Sequence, residues 1–306
     1  MTKTLELELR GPGGEPIDLH RTLNSHGFAE LAPARLDETA RALDITLRLP
    51  GARPRRVRVG AASAPGRALV TIFGPSPGAR TREEIRAQMR HVLRFDADLS
   101  EFYSMAASDP ELDWVTEGAG RMLQSPTVFE DVVKTICTTN CAWGATVRMV
   151  NALVEHLGET PSGDDGPLAN AFPSPEAMAG APESFYRDVA RAGYRSTYLI
   201  SVSRMVATGA LDLEALADAD PADLPDEELE RALLEIPGVG PYAAAHIMMT
   251  VGRYSRLILD SWSRPQYARL VGKETVKDPA IRRRFRSYGP YAGLAFWLFI
   301  TRDWVK

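Results

Sequence analysis

The stretch from Arg231 to Leu270, RALLEIPGVGPYAAAHIMMTVGRYSRLILDSWSRPQYARL, constrains the fold more than any other part of the chain. Leu233, Leu234 and Ile236 close an amphipathic segment. Pro237-Gly238-Val239-Gly240 follows as a turn with two residues free to take positive φ. Pro241 stands where a first helical position tolerates a missing N–H. Tyr242 to Val251 is then apolar and helix-forming, as a buried helix must be. The pattern predicts two helices joined by a glycine turn. Such a helix start presents unpaired N–H groups that suit a phosphate oxygen, although a plain structural hairpin satisfies the same pattern. Asp260 lies 20 residues beyond Gly240, between Leu257-Ile258-Leu259 and Ser261-Trp262-Ser263. It reads equally as a helix N-cap and as a carboxylate held at a helix start beside an apolar cleft.

A chain of 306 residues, 44% hydrophobic and 25% charged, has an ordinary globular composition and is long enough for two domains. No window reaches the roughly 18 apolar residues of a membrane span, and Ala292–Ile300 reads as a core helix. The opening MTKTLELELRG has no signal-peptide core, so a cytoplasmic location is expected. Cys137 and Cys141 have no histidine close in sequence and read as small buried residues. Net charge is −4, but unevenly spread. Residues 151–250 hold 5 Arg against 17 acids, whereas residues 251–306 hold 12 Lys and Arg against 4 acids. That asymmetry suggests one face made for a polyanion, peaking at Arg282-Arg283-Arg284-Phe285-Arg286. A solvated helix face accounts for the arginine run equally well.

Residues 3–80 alternate as strands do at Thr4–Leu9, Ile45–Leu49 and Arg56–Val59, with an apolar run at Ala68–Phe73. Leu19–Leu31 predicts a short helix and turn among them. From Thr81 the pattern turns helical: Arg82–Phe95, Leu99–Ala106, Met122–Gly158, Pro175–Ala179 and Glu183–Ala210. Ser125-Pro126-Thr127 is expected to start a helix, and Thr138-Thr139-Asn140 to interrupt it. Thr160–Pro175 reads as a loop. The expected class is α+β, with an antiparallel sheet domain over 1–112 and a mostly helical domain over 113–306. The hairpin occupies 231–251 of the latter and the acid segment 257–270.

The turn Ile236-Pro237-Gly238-Val239-Gly240, the buried helix after it and Asp260 at this spacing resemble the helix-hairpin-helix DNA glycosylases. The stretch 121–158, Arg191–Arg195 and Tyr288–Trp297 carry further resemblance, and residues 1–110 a looser one. The resemblance implies a TATA-box-protein-like N-terminal sheet before a helical glycosylase body. It implies that Asp260 is the catalytic acid and that Gly238, Val239 and Gly240 meet a DNA phosphate. It further places Asn140 in the space left by an extruded base and sets Arg264 with the DNA contacts. The carbonyls of Leu234, Ile236 and Val239 would hold a structural Na⁺ or K⁺. No other cofactor is implied, since the cysteine cluster of the iron–sulfur branch is absent after Asp260. The family's strand-cutting members carry a lysine where Tyr242 stands, and no lysine lies between Gly240 and Asp260. A monofunctional glycosylase acting alone on damaged double-stranded DNA is therefore expected.

The base pocket implied by the resemblance comprises Tyr242, Trp297, Trp262 and His246, most like the inducible 3-methyladenine glycosylase branch. Aromatic faces attract cations by about 0.5–2 kcal/mol, which suits alkylated purines such as 3-methyladenine and 7-methylguanine. The same side chains fit an ordinary core. Two other readings stay open: an 8-oxoguanine glycosylase, and a DNA-structure binder that kept the hairpin without chemistry.

Overall fold

The computed structural model describes residues 3–163 and 169–305. Among these residues, β1 (Thr4–Glu8), β2 (Arg35–Asp37), β3 (Ala42–Leu49), β4 (Ala52–Ala61) and β5 (Arg67–Ile72) form one antiparallel sheet. Its strand order is β1-β5-β4-β3-β2. Period-two alternation puts Leu43, Ile45 and Leu47 of β3, Val57 and Val59 of β4 and Val70 and Ile72 of β5 into one core. Helices α1 (Leu19–Leu23) and α2 (Ala79–Val92) cover that face. The opposite face is also covered at Asp44 and Thr46, both buried. Thr46 Oγ1 donates to the Ala169 carbonyl at 2.7 Å, and Arg58 donates to Asp44 at 3.1 Å. Parts of the loop expected at Thr160–Pro175 thus fasten the sheet to the helical body; residues 164–168 lie outside the described residues.

The body comprises α3 (Ser100–Ala106), α4 (Val128–Thr138), α5 (Trp143–Leu157), α6 (Pro175–Gly180) and α7 (Arg195–Ala207). It continues with α8 (Leu213–Asp218), α9 (Asp226–Leu234), α10 (Pro241–Thr250), α11 (Ser263–Leu270), α12 (Asp278–Phe285) and α13 (Ala292–Thr301).

Two expectations fail locally. Met122 to Thr127 is not helical, and the cap of α4 is Thr127 rather than Ser125. Thr127 Oγ1 accepts from the Glu130 N–H, while Glu214 of α8 accepts from the N–H groups of Val128 and Phe129. These acceptors satisfy the helix start from two directions, and Ser125 instead donates its N–H to Asp131 at 3.0 Å. The helix expected over 183–210 breaks as well. A π turn at Phe185–Val189 ends in Arg191 (φ 53°) and Gly193 (φ 60°), so α7 begins only at Arg195. Two left-handed residues close together cannot continue a right-handed helix.

Packing divides the described residues among three cores. One is the sheet core; a second joins α4, α5, α7, α9 and α10 with Phe28 and Leu31 of the sheet domain. The third joins α3 and the chain after it to α11, α12 and α13. A boundary at 112 therefore runs through the third core. Helix α13 is apolar and buried along its length, and no helix among the described residues is long and apolar enough to cross a membrane.

Candidate active site

The hairpin turn is built by short-range bonds. Leu233 O accepts from Ile236 N–H at 3.1 Å, and Ile236 O accepts from Val239 N–H at 3.0 Å. Gly238 takes φ 87°, and a Cβ there would stand 2.8 Å from the Tyr198 ring. Gly240 differs: at φ −101° it is ordinary extended backbone, and a Cβ would meet nothing within 4 Å. No side chain caps α10 behind it, so the first N–H groups of that helix lie beside an open surface. Helix α9 ends at Leu234, which places the Leu234 and Ile236 carbonyls at the negative end of a helix. With the carbonyl of Val239 they are oxygen donors of a kind that suits a monovalent cation. Among the described residues, no group of three or more His, Cys, Asp and Glu side chains converges to hold a metal.

Asp260 stands two residues before the N-cap position of α11, Trp262, and bonds to the helix start. Its Oδ1 accepts from the Trp262 N–H at 2.9 Å and the Ser263 N–H at 2.6 Å, and Ser263 Oγ accepts from the Asp260 N–H at 2.8 Å. This reciprocal cap starts α11 and holds the carboxylate in one orientation. Oδ2 has no hydrogen-bond partner among the described residues. The group is half-buried behind Leu257 and Ile258, both buried.

Asp260 opens into a cleft of about 1360 Å³ that draws walls from both domains. Gly238, Val239, Gly240, Tyr242 and His246 line it from the hairpin and α10, Trp262 and Trp297 from the C-terminal core, and Asn140 from the α4–α5 loop. Tyr242 Oη lies 3.3 Å from Thr138 Oγ1. Burial pushes its phenol above the ordinary value, and the charge of Asp260 adds to the effect. His246 is buried, with Nδ1 3.4 Å from Thr135 Oγ1, and burial pushes its imidazole down to about 3. The Trp297 indole N–H donates to the Ser25 carbonyl of the sheet domain at 2.7 Å. Its ring centroid lies 5.8 Å from that of Trp262. Asn140 is exposed at φ 46°, with Nδ2 3.5 Å from Tyr194 Oη.

Three predicted site residues stand outside the cleft lining: Leu234 and Ile236, predicted for their carbonyls, and Arg264. Arg264 instead grips Asp278 through Nε at 2.7 Å and a terminal nitrogen at 2.9 Å. The charge asymmetry is also partly internal. Arg253 pairs with Asp226 at 2.6 Å and Arg256 with Glu230 at 2.7 Å, so the basic end neutralises part of the acidic segment. Arg284 pairs with Asp109 at 2.8 Å. Lys273, Lys277, Arg282, Arg283 and Arg286 remain exposed.

Several lining residues were not singled out by sequence. His26 and Phe28 come from the sheet domain, with ring centroids 5.7 and 4.9 Å from that of His246. Burial pushes His26 down to about 4. Trp143, Tyr194 and Trp304 are exposed aromatics at the rim. Of the six large hydrophobic side chains exposed among the described residues, four (Trp143, Tyr194, Trp262 and Trp304) line this cleft. Exposed apolar surface concentrated in one concavity marks a binding site. Tyr194 stood inside a stretch already flagged, but nothing local in sequence points Trp143 or Trp304 toward Asp260.

No family model matches the chain. A DNA-3-methyladenine glycosylase of Bacillus subtilis is 27% identical over 184 residues, 56% of each chain. A putative DNA-3-methyladenine glycosylase of the same organism is 31% identical over 78 residues, 26% of this chain and 25% of that one. The chain therefore spans about half the length of the first of these curated relatives and a quarter of the second. Among solved structures, a 3-methyladenine DNA glycosylase from Archaeoglobus fulgidus aligns with a TM-score of 0.75 at 18% identity, over 98% of this chain and 99% of that one. An 8-oxoguanine glycosylase/lyase from Clostridium acetobutylicum, in complex with double-stranded DNA, aligns with a TM-score of 0.71 at 21% identity, over 99% of each chain. The chain has the fold of these glycosylases. One fold serves different bases in these two proteins, so the fold alone does not choose a substrate.

Proposed function

We propose that this chain is a helix-hairpin-helix DNA glycosylase, monofunctional, that hydrolyses the N-glycosidic bond of alkylated purines in double-stranded DNA, with Asp260 as its catalytic acid. The observation that carries the reading is Asp260 itself: a carboxylate with one oxygen held by two N–H donors, opening into an aromatic cleft beside the hairpin. Extruding a base from the stack costs a few kcal/mol, least when the base is damaged. As the base leaves, positive charge develops on the sugar, and a fixed carboxylate in a water-poor cleft stabilises it far better than a solvated one. The same carboxylate orients the attacking water.

Strand cutting by a Schiff base requires an amine nucleophile. The cleft lining contains no lysine, Tyr242 stands at the family's lysine position, and Lys134 is consumed in a buried ion pair with Glu130 at 2.6 Å. These features favour hydrolysis alone, leaving an abasic site. They weigh against the 8-oxoguanine glycosylase/lyase reading that the Clostridium structure keeps in view. An alkylated purine is positively charged, and the neutral state of His246 and His26 leaves no cation at the cleft floor to repel it. Trp262, Trp297 and Tyr242 offer it π faces.

The N–H groups at Gly238, Val239 and Gly240 would meet a phosphate, with a monovalent cation on the turn carbonyls, and Asn140 would fill the vacated stack. The exposed basic residues at the C-terminal end would add salt-sensitive affinity, and Arg264 would join them only by releasing Asp278. Base release from duplexes carrying 7-methylguanine or 8-oxoguanine tests the reading, with alkali treatment to separate abasic sites from cuts. Release of the methylated base, breaks only after alkali, and a loss of about 10²–10³-fold in Asp260→Asn are expected. Failure to release either base while DNA binding persists would leave a DNA-structure binder instead.

A further inference from the structure

The loop Thr139 to Ala142 joins α4 to α5 and puts Asn140 at the cleft. Asn140 is exposed at φ 46°, a left-handed conformation that residues other than glycine rarely adopt and that persists only where the surroundings impose it. Here the surroundings are the start of α7. Arg195 donates from a terminal nitrogen to the Thr139 carbonyl, which belongs to the same peptide as the Asn140 N–H. The Arg195 guanidinium lies 4.5 Å from the centroid of the Tyr194 ring, and Tyr194 Oη lies 3.5 Å from Asn140 Nδ2. Two consecutive residues of one element thus hold Asn140 by its main chain and by its side chain. The far end of the loop is tied as well. The Cys141 thiol donates to the Cys137 carbonyl at 3.1 Å, and the Trp143 indole N–H donates to Glu30 of the sheet domain at 3.1 Å.

Arg195 is only 6% exposed, and its Nε is buried without a hydrogen-bond partner among the described residues. A buried guanidinium left partly unpaired is costly, and packing alone would be served by an apolar side chain. What the charge adds is a strong bond to a carbonyl at the C-terminal end of α4, where the helix dipole favours a cation. Tyr194 lines the cleft and Arg195 does not, so any effect of Arg195 on a ligand there passes through the loop. A side chain fixed in its working position beforehand loses no binding energy to being ordered.

We infer that Arg195 is a positioning residue: with Tyr194 it fixes the α4–α5 loop so that Asn140 stands ready to enter the gap left by an extruded base. The inference rests on the place proposed above for Asn140, and not on which base is removed or on the chemistry of Asp260. Its test therefore uses no reaction. Dissociation constants are measured for a duplex carrying one tetrahydrofuran abasic analogue, which presents the gap ready-made, and for the same duplex intact. The ratio of the two is compared among variants. Asn140→Ala and Arg195→Met are each expected to lower the preference for the abasic analogue by about 5- to 20-fold, and the double variant to lose no more than Asn140→Ala alone. Tyr194→Phe removes one exposed hydroxyl and should lower the preference by about 2- to 5-fold, again only while Asn140 is present. Losses from Arg195→Met that multiply with those of Asn140→Ala, or that fall equally on both duplexes, would make Arg195 a structural residue and overturn the inference. So would an Asn140→Ala protein with full preference, which leaves nothing to position. If Arg195→Met does not fold, Tyr194→Phe with and without Asn140→Ala decides by the same criterion. Coupled losses in a protein that releases no base would support the inference while ending the glycosylase reading.

Discussion

Gly238 and Gly240 stand two residues apart in one turn, and the fold asks different things of them. At Gly238 the backbone is left-handed and the Tyr198 ring closes off the Cβ position, so Gly238→Ala is expected to cost more than about 1 kcal/mol of stability. At Gly240 neither constraint applies, and Gly240→Ala should stay within about 0.5 kcal/mol of wild type. If a phosphate approaches this backbone, the added methyl should weaken duplex binding by about tenfold. Thermal melts and binding isotherms of the two variants give the answer, and a Gly240→Ala protein that binds normally would move the phosphate contact elsewhere. Asp260 supports a similar separation. Asn is as good a cap as Asp, so Asp260→Asn should keep the fold while losing chemistry, whereas Asp260→Ala should also cost about 1 kcal/mol. At this scale the sequence was informative where residue type limits backbone conformation, as at Gly238, and not at Gly240, which takes no positive φ. It was silent on Trp304, whose nearness to Asp260 depends on how the tail after α13 folds back.

Helices α4 and α10 meet through Thr135 and His246, and His26 of the sheet domain packs against the same imidazole. Burial holds His246 at about 3, against 6.5 when free, so the unfolded chain binds a proton there that the folded chain refuses. Between those values the unfolded state carries more protons, and stability must fall as pH falls from about 6.5 toward 3. His246→Asn removes this contribution. Its stability should therefore depend less steeply on pH, by about 1.4 kcal/mol per unit below about 6, in denaturant titrations of the two proteins. Identical slopes would mean that water reaches His246 in the folded state. Elements were legible where periodicity and caps agree, as at the hairpin and β5, while β3 and β4 extend beyond the alternating cores Ile45–Leu49 and Arg56–Val59 to Ala42–Leu49 and Ala52–Ala61. They were illegible where a partner distant in sequence supplies the cap, as Glu214 does for α4, or where two left-handed residues break an apolar run, as Arg191 and Gly193 do.

The cleft exists only because sheet domain and helical body are held at a fixed relation, and the bonds that hold them are buried. Arg121 and Glu15 pair at 2.6 Å with side chains 0% and 4% exposed, joining the turn after β1 to the segment before α4. Glu15 also accepts from the Leu99 N–H at 3.1 Å, and Arg121 donates to the Ala97 carbonyl at 3.0 Å. Ser25 adds a second tie by accepting the Trp297 indole N–H on its carbonyl and the Leu123 N–H on its hydroxyl. Such pairings join residues far apart in sequence, which is why composition and periodicity say nothing of how the sheet docks on the helices. Removing one member of a buried pair strands the other charge, at a cost of about 3–5 kcal/mol. Arg121→Met should therefore lower the melting temperature strongly. Because the sheet domain contributes Phe28 and Leu31 to the helical core, calorimetry should show one transition moving rather than two separating. The double variant Arg121→Met with Glu15→Leu should recover much of the loss, since no charge is then left unpaired. Two resolved transitions, or a double variant less stable than the single, would mean that the domains fold independently and that the cleft geometry is set by other contacts.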